Sequence, residues 1–270
     1  MNLKNFDWTL LKADMRKVWS RPTFELAVGL VFFMSITSVQ TLFKVTTVTG
    51  LDSAFNTIVT DFLVRIINTQ MLPLVILSGI LVSLSFARDY EQGLMQTLLS
   101  LPVSRTSIFT VKFVAIVLPL TLLSWGITLF IMVMNYFTAA NGLLVLQVTF
   151  WALPVTLFAV MFYAGLASLI ALALKKTITS TLTTVLAGFF VSFITTLTPE
   201  VLGPIADYLV FSPYAAPLWT LKRVLDIRNP EPGLEVNLPP WGFFLLIIFY
   251  AVVFLVPTYL YFTKRFEVRE

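Results

Sequence analysis

The chain of 270 residues contains no cysteine and no histidine. Without cysteine there is no disulfide, no thiolate metal site and no cysteine nucleophile. Without histidine there is no Ser–His hydrolysis, no HExxH zinc chemistry and no haem held by imidazole. Charge is also scarce. Charged residues make up 12% of the chain and hydrophobic ones 58%, whereas soluble domains carry roughly 25% charged residues. That deficit excludes an ordinary soluble fold and points to a polytopic membrane protein. No G-x-x-x-x-G-K-[ST] phosphate loop occurs, so the chain has no P-loop of its own with which to hydrolyse ATP. The net charge of +4 bears on membrane orientation and gives no reason to expect a nucleic-acid partner.

What is present is long apolar runs. A membrane-spanning helix takes about 20 mostly apolar residues. Residues 24–43, 66–86, 113–137, 143–174, 178–197 and 241–262 qualify, which predicts an all-α, six-span protein. The fourth run is overlong and contains Pro154, so tilt or a sheltered helix break is expected there. No repeat or soluble domain interrupts residues 1–270, which read as a single transmembrane domain.

Lysine and arginine fall unevenly on the two sides of these spans. One side collects thirteen: Lys4, Lys12, Arg16, Lys17, Arg21, Arg88, Arg105, Lys112, Lys175, Lys176, Lys264, Arg265 and Arg269. The other collects five: Lys44, Arg65, Lys222, Arg223 and Arg228. The asymmetry predicts a cell membrane protein with both termini in the cytoplasm. A seventh span at residues 201–221 is disfavoured by Pro204, Pro213, Pro217 and Asp207. Residues 199–240, which hold eight of the fourteen prolines, read instead as an outer element before the last span, with Pro217 near the start of a short helix. At the other end, Trp8, Leu11, Met15 and Val18 recur at helical spacing among Lys12, Arg16 and Lys17. Residues 6–21 therefore read as an amphipathic helix in the inner membrane interface, in contact with lipid.

The most patterned segment, residues 88–105, joins the second and third runs. It starts with Asp89 and Glu91, whose carboxylates suit the positive end of a following helix. Gly93 permits a sharp turn. Leu94, Leu98 and Leu101 then form one stripe about two turns long, with Leu99 beside it. Pro102 stops the helix and Arg105 follows. The pattern suits a lever pushed by another protein; an interfacial loop helix without a partner is the plainer reading.

Charge is absent from the cores of the second to sixth runs, although ion-coupled carriers usually need buried ionisable groups. A self-contained secondary transporter is thus the weaker alternative, with a membrane anchor for a soluble partner as a third. Uncharged polar residues do occur in or beside the runs, among them Asn68, Ser83, Asn135 and Gln147. Gln40, Gln70, Ser78 and Ser192 are the candidates for a substrate path, and helix–helix contact is the competing role for each. Ala164, Ala167, Ser168 and Ala171 form a small-residue set suited to close helix packing.

The run Asp89-x-Glu91-x-Gly93, then Leu98-Leu99-Ser100-x-Pro102-Val103-Ser104-Arg105, then Ile108 and Lys112, resembles the signature of ABC-2 type transporter permeases. That signature reads E-x-E-x-G-T-L-E-x-L-L-S-x-P-V-S-R-x-x-I-L-x-G-K and lies between the second and third spans. Leu94-Met95-Gln96 replaces its Thr-Leu-Glu, and Val111 replaces its glycine. The resemblance implies that residues 88–105 contain a coupling helix that docks on a separate ATP-binding subunit. Asp89, Glu91, Gly93, Leu94, Leu98, Leu99, Leu101, Pro102 and Arg105 would carry that contact. It further implies no cofactor in this chain, with ATP and Mg on the partner subunit. A second permease copy or a paralogue would complete the path along spans one, two and five, most often for export.

Overall fold

The computed structural model describes residues 8–20, 22–33, 69–138, 142–196, 206–209, 211–224 and 238–265. They form helices and turns, with no strand among the described residues. In chain order these are α1 (Trp8–Val18), α2 (Pro22–Phe33) and α3 (Thr69–Glu91). Next come α4 (Leu94–Ser100), α5 (Arg105–Thr138), α6 (Gly142–Leu174) and α7 (Thr177–Thr196). The short α8 (Ala206–Leu209) and α9 (Ala215–Val224) precede α10 (Pro240–Leu260), which runs on through a π turn at Tyr261–Arg265.

Among the described residues, four helices are long and apolar enough to cross a membrane: Thr69–Glu91, Arg105–Phe130, Val145–Leu174 and Pro240–Lys264. They coincide with four of the six expected spans. The other two, residues 24–43 and 178–197, coincide with the shorter apolar helices Pro22–Phe33 and Thr177–Val191. Residues 34–43 lie outside the described residues. Pro154 does not break α6, which runs continuously for 33 residues. At about 1.5 Å per residue that is longer than the roughly 30 Å hydrocarbon layer, so tilt or overhang takes up the excess.

Two boundaries differ from the sequence reading. α3 continues past residue 86 to Glu91, and α5 begins at Arg105 rather than near residue 113. Apolarity alone stops the count at the first charge. Here the charges stay helical because they find partners inside the bundle, as described below.

The helices pack closely where residues are small. A side chain at Gly188 on α7 would collide with Val75 on α3, and one at Gly79 would press on Thr184. Ser180 donates to Ser83 across the same seam at 2.8 Å. The Ala164, Ala167, Ser168 and Ala171 set is buried on α6, and a side chain at Gly165 would press on the Leu255 backbone of α10. Such seams suit a bundle in which lipid offers no hydrophobic drive for helix association.

α9 opens two residues before Pro217, where the Ser212 hydroxyl accepts the Ala215 amide at 3.1 Å. Its Leu221 is buried and Leu218 packs on the core, whereas Leu225 lies outside the described residues. Phe243 at the start of α10 is buried. It stacks on Phe211 and on Trp219, each with centroids 6.2 Å apart. The Tyr250 hydroxyl donates to the Phe211 carbonyl at 2.7 Å. These contacts clamp α9 to α10.

α1 lies across the start of α5. Leu11 packs with Val111 and Ala115, and the Trp19 indole donates to the Ala115 carbonyl at 2.9 Å. Leu11, Met15 and Val18 of the α1 stripe are thus spent on protein, whereas Trp8 is exposed.

Candidate functional site

The helix α3 widens into a π turn at Ser83–Ala87, where the Arg88 amide donates to the Ser83 carbonyl five residues back. It then ends with Asp89, Tyr90 and Glu91, and each of the three side chains goes to a partner on another helix or junction.

Asp89 turns inward and is buried. Its Oδ2 accepts a charged hydrogen bond from Lys112 Nζ on α5 at 2.5 Å. Its other oxygen pairs with Lys17 on α1. Lys112 is 2% exposed, so its ammonium depends on protein acceptors. It donates also to Asp14 Oδ1 on α1 at 3.1 Å and to the Ser85 carbonyl at 2.9 Å. Ser85 Oγ donates to the second Asp14 oxygen at 3.0 Å. Two carboxylates and two ammonium groups thus close a neutral cluster joining α1, α3 and α5. Lys17 is only half-buried; burial and the neighbouring Lys112 charge push its ammonium down to about 8.

Tyr90 and Glu91 turn to the connection between α6 and α7. Lys175 Nζ lies 4.6 Å from the Tyr90 ring centre and 3.3 Å from its hydroxyl. Lys175 holds a left-handed backbone, φ 57°, which reverses the chain there at the cost usual for a residue with a side chain. Glu91 Oε2 accepts the Thr177 hydroxyl at 2.6 Å and the Thr177 amide at 3.3 Å. The carboxylate therefore caps the first turn of α7, where the helix dipole is positive.

Gly93 then adopts φ 71°, and α4 leaves in a new direction. Met95, fully buried, is its anchor. Leu98 and Leu99 pack partly on the core. Leu94 and Leu101 are exposed, 43% and 45%, as are Gln96, Thr97 and Ser100. Leu101 is extended, ψ 151°, as a residue before proline must be. The Ser104 hydroxyl accepts the Ser107 amide at 3.1 Å and caps α5. Exposed Pro102 and Arg105 flank this turn.

Asp89 and Glu91 therefore do not sit ahead of α4 as partners of its dipole. They belong to the last turn of α3, and Glu91 serves the dipole of α7 instead. Leu94, Leu98 and Leu101 do not share one environment either, since Leu98 is half-buried. Sequence reasoning missed Asp14, Ser85 and Met95, and it read Lys112 as a flanking charge and a signature residue without a partner inside the bundle. Asp14 had a readable signal, because it sits three residues after Leu11 and four before Val18, on the apolar face of α1.

The path candidates fall elsewhere. Gln70 is fully buried between α3 and α5, where its carbonyl accepts Ser124 Oγ at 2.6 Å and its amide meets Thr128 at 3.5 Å. Ser78 donates to the Leu74 carbonyl of its own helix at 2.6 Å. Gln40 and the side chain of Ser192 lie outside the described residues. The structure brings Asp89, Glu91 and Gly93 together at the foot of α4, and leaves Gln70 and Ser78 within the α3 core.

Residues 10–211 match a family model described as "ABC-2 family transporter protein". The match runs from within α1 through α8 and includes the whole ionic cluster. No curated protein matches the chain.

Proposed function

Because the chain belongs to the ABC-2 transporter family, whose members are membrane transport components, we propose that it is a permease subunit driven by a separate ATP-binding subunit. ATP and Mg are held on that partner. Two copies, or this chain and a paralogue, enclose a path for export, with six spans each and both termini in the cytoplasm. The multi-pass helices support the membrane role.

One observation carries the coupling part of this reading. The foot of α4 is fastened to α1 and α5 through Asp89, and to the α6–α7 connection through Tyr90 and Glu91. Its outer surface, with Leu94 and Leu101, is open. A push on that surface reaches five helices within three residues of chain. Asp89 and Glu91 act here as anchors of the lever, and Leu94, Leu101, Pro102 and Arg105 as its contact with the partner. Leu98 and Leu99 seat the lever on the bundle.

The test is co-purification of the ATP-binding subunit with Leu94→Asp and with Leu101→Asp. Placing a carboxylate in an apolar contact costs on the order of several kcal/mol, so the partner should be lost while membrane insertion continues. Full retention and normal transport by both variants would overturn the docking role. Orientation is tested by single cysteines at Thr97 and Asn229, without background because the chain has none. An impermeant reagent outside intact cells should reach the second and spare the first.

A further inference from the structure

We infer that the exposed face of α1 is a binding site for the headgroups of anionic phospholipids. Trp8, Lys12 and Arg16 are spaced by four residues and fall on one line along this helix. Lys12 and Arg16 are exposed, and Trp8 is 70% exposed. The sole acidic residue within α1, Asp14, is buried against Lys112 and Ser85. The inner ion cluster thus removes the one negative charge from the helix's outer surface. The remaining outer face is cationic with an aromatic at one end.

The place of α1 selects the occupant. Only a short turn separates it from α2, whose Phe24, Leu26, Phe32 and Phe33 are exposed as in a helix facing lipid. The Trp19 ring meets Phe24 edge-on, with centroids 6.2 Å apart, and ties α1 to that start. The basic line therefore lies at the level where an apolar segment enters the membrane. Headgroup phosphates are the anions found there at high density, and indole rings prefer the same level.

This differs in kind from an amphipathic helix immersed in the interface. Such a helix inserts its apolar side among the acyl chains. Here the apolar side, Leu11 and Val18, is buried in protein, so contact with the membrane is made by charge. The attraction should depend on anionic lipid and weaken with salt. A basic residue near an anionic surface gains about fivefold in binding, so removing two should cost on the order of 30-fold.

The inference rests on the membrane location of the chain and not on ATP coupling. It is tested on the full chain with a fluorescent reporter on Ala13→Cys, an exposed position beside the line. The protein is placed in nanodiscs of phosphatidylcholine alone and of phosphatidylcholine mixed with phosphatidylglycerol. The reporter should shift as phosphatidylglycerol is added, and raised salt should reverse the shift. Lys12→Gln with Arg16→Gln should abolish the response at lipid fractions that saturate the parent, whereas Lys176→Gln, an exposed charge on the α6–α7 connection, should leave it unchanged. An equal response in the double variant would overturn the site. So would a shift produced by inorganic phosphate in pure phosphatidylcholine, which would assign the face to a soluble anion.

Discussion

The two ends of the helix bundle are held together by different chemistry. At the α4 end, α1, α3 and α5 meet through Asp14, Lys17, Asp89 and Lys112, with Glu91 capping α7 alongside. At the α9 end the join is made by rings, with Phe243 stacked on Phe211 and on Trp219 and Tyr250 reaching over to the Phe211 carbonyl. Stacked rings fit in one arrangement, and leaving it forfeits both ring contacts. An ammonium with three donors and several nearby oxygens can exchange acceptors while remaining paired. The ion cluster at the α4 end can therefore stay paired through a small shift, whereas the rings at the α9 end cannot shift without losing contact. That division suits a bundle pushed from one end.

The largest loss is expected from Lys112→Met. Removing this ammonium leaves Asp14 buried without its cation while Asp89 keeps Lys17, and breaking a buried pair in this way costs about 3–5 kcal/mol. The variant should unfold at markedly lower temperature in detergent. Adding Asp14→Asn restores charge balance, leaves the Lys17–Asp89 pair and should recover more than half of the loss. If the single variant is as stable as the parent, the cluster is not what holds that end.

Phe243→Leu is the matching test at the other end. It keeps an apolar side chain but removes two stacked contacts, worth about 0.5–1.5 kcal/mol each beyond burial. The loss should show in the same thermal scan and should not change with salt. A salt-dependent loss would erase the contrast between the ends.

Glu91→Gln weakens the cap on α7 at the α4 end. The amide still accepts from Thr177 but no longer opposes the α7 dipole with a full charge. Because Glu91 is at the surface, the effect should be smaller than either loss above and fade in high salt. Loss of partner-subunit coupling out of proportion to the stability change would place Glu91 in the docking contact itself.

A last test is with pH. Lys17 in the folded chain releases its proton near 8, while the unfolded chain keeps it to about 10.5. Between those values the unfolded state binds more protons, so this group's contribution to stability rises with pH there and falls away as pH drops through 8. Lys17→Met should remove that slope from a stability profile taken across the window.

The apolar runs were legible because a spanning helix leaves an unmistakable mark in composition. Gly93 and Pro102 were legible too, since each dictates local backbone whatever surrounds it. The ionic cluster was not. Its members lie far apart in sequence, and a lysine just ahead of an apolar run looks the same whether it faces water or an aspartate. Met95 was overlooked because the leucines around it form a more regular stripe, yet it lies deepest. Which of several apolar residues on a short helix turns inward depends on the neighbours, and sequence spacing carries no record of them. The stacking of Phe243 was hidden for the same reason, one phenylalanine among 25.

Lys112 and Asp14 are 98 positions apart, and that separation sets an order on how the protein is made. At roughly 5–20 residues per second, the ribosome takes on the order of ten seconds to reach the lysine after the aspartate. Until then Asp14, Lys17 and Asp89 have no Lys112 to close around, and α1 has no α5 to lie against. The first apolar segments reach the membrane before their electrostatic keystone exists. Completion of α5 is therefore the moment at which the nascent chain can first lock, and a chain truncated before Lys112 is left with an acid-rich seam open to whatever cation the cell supplies.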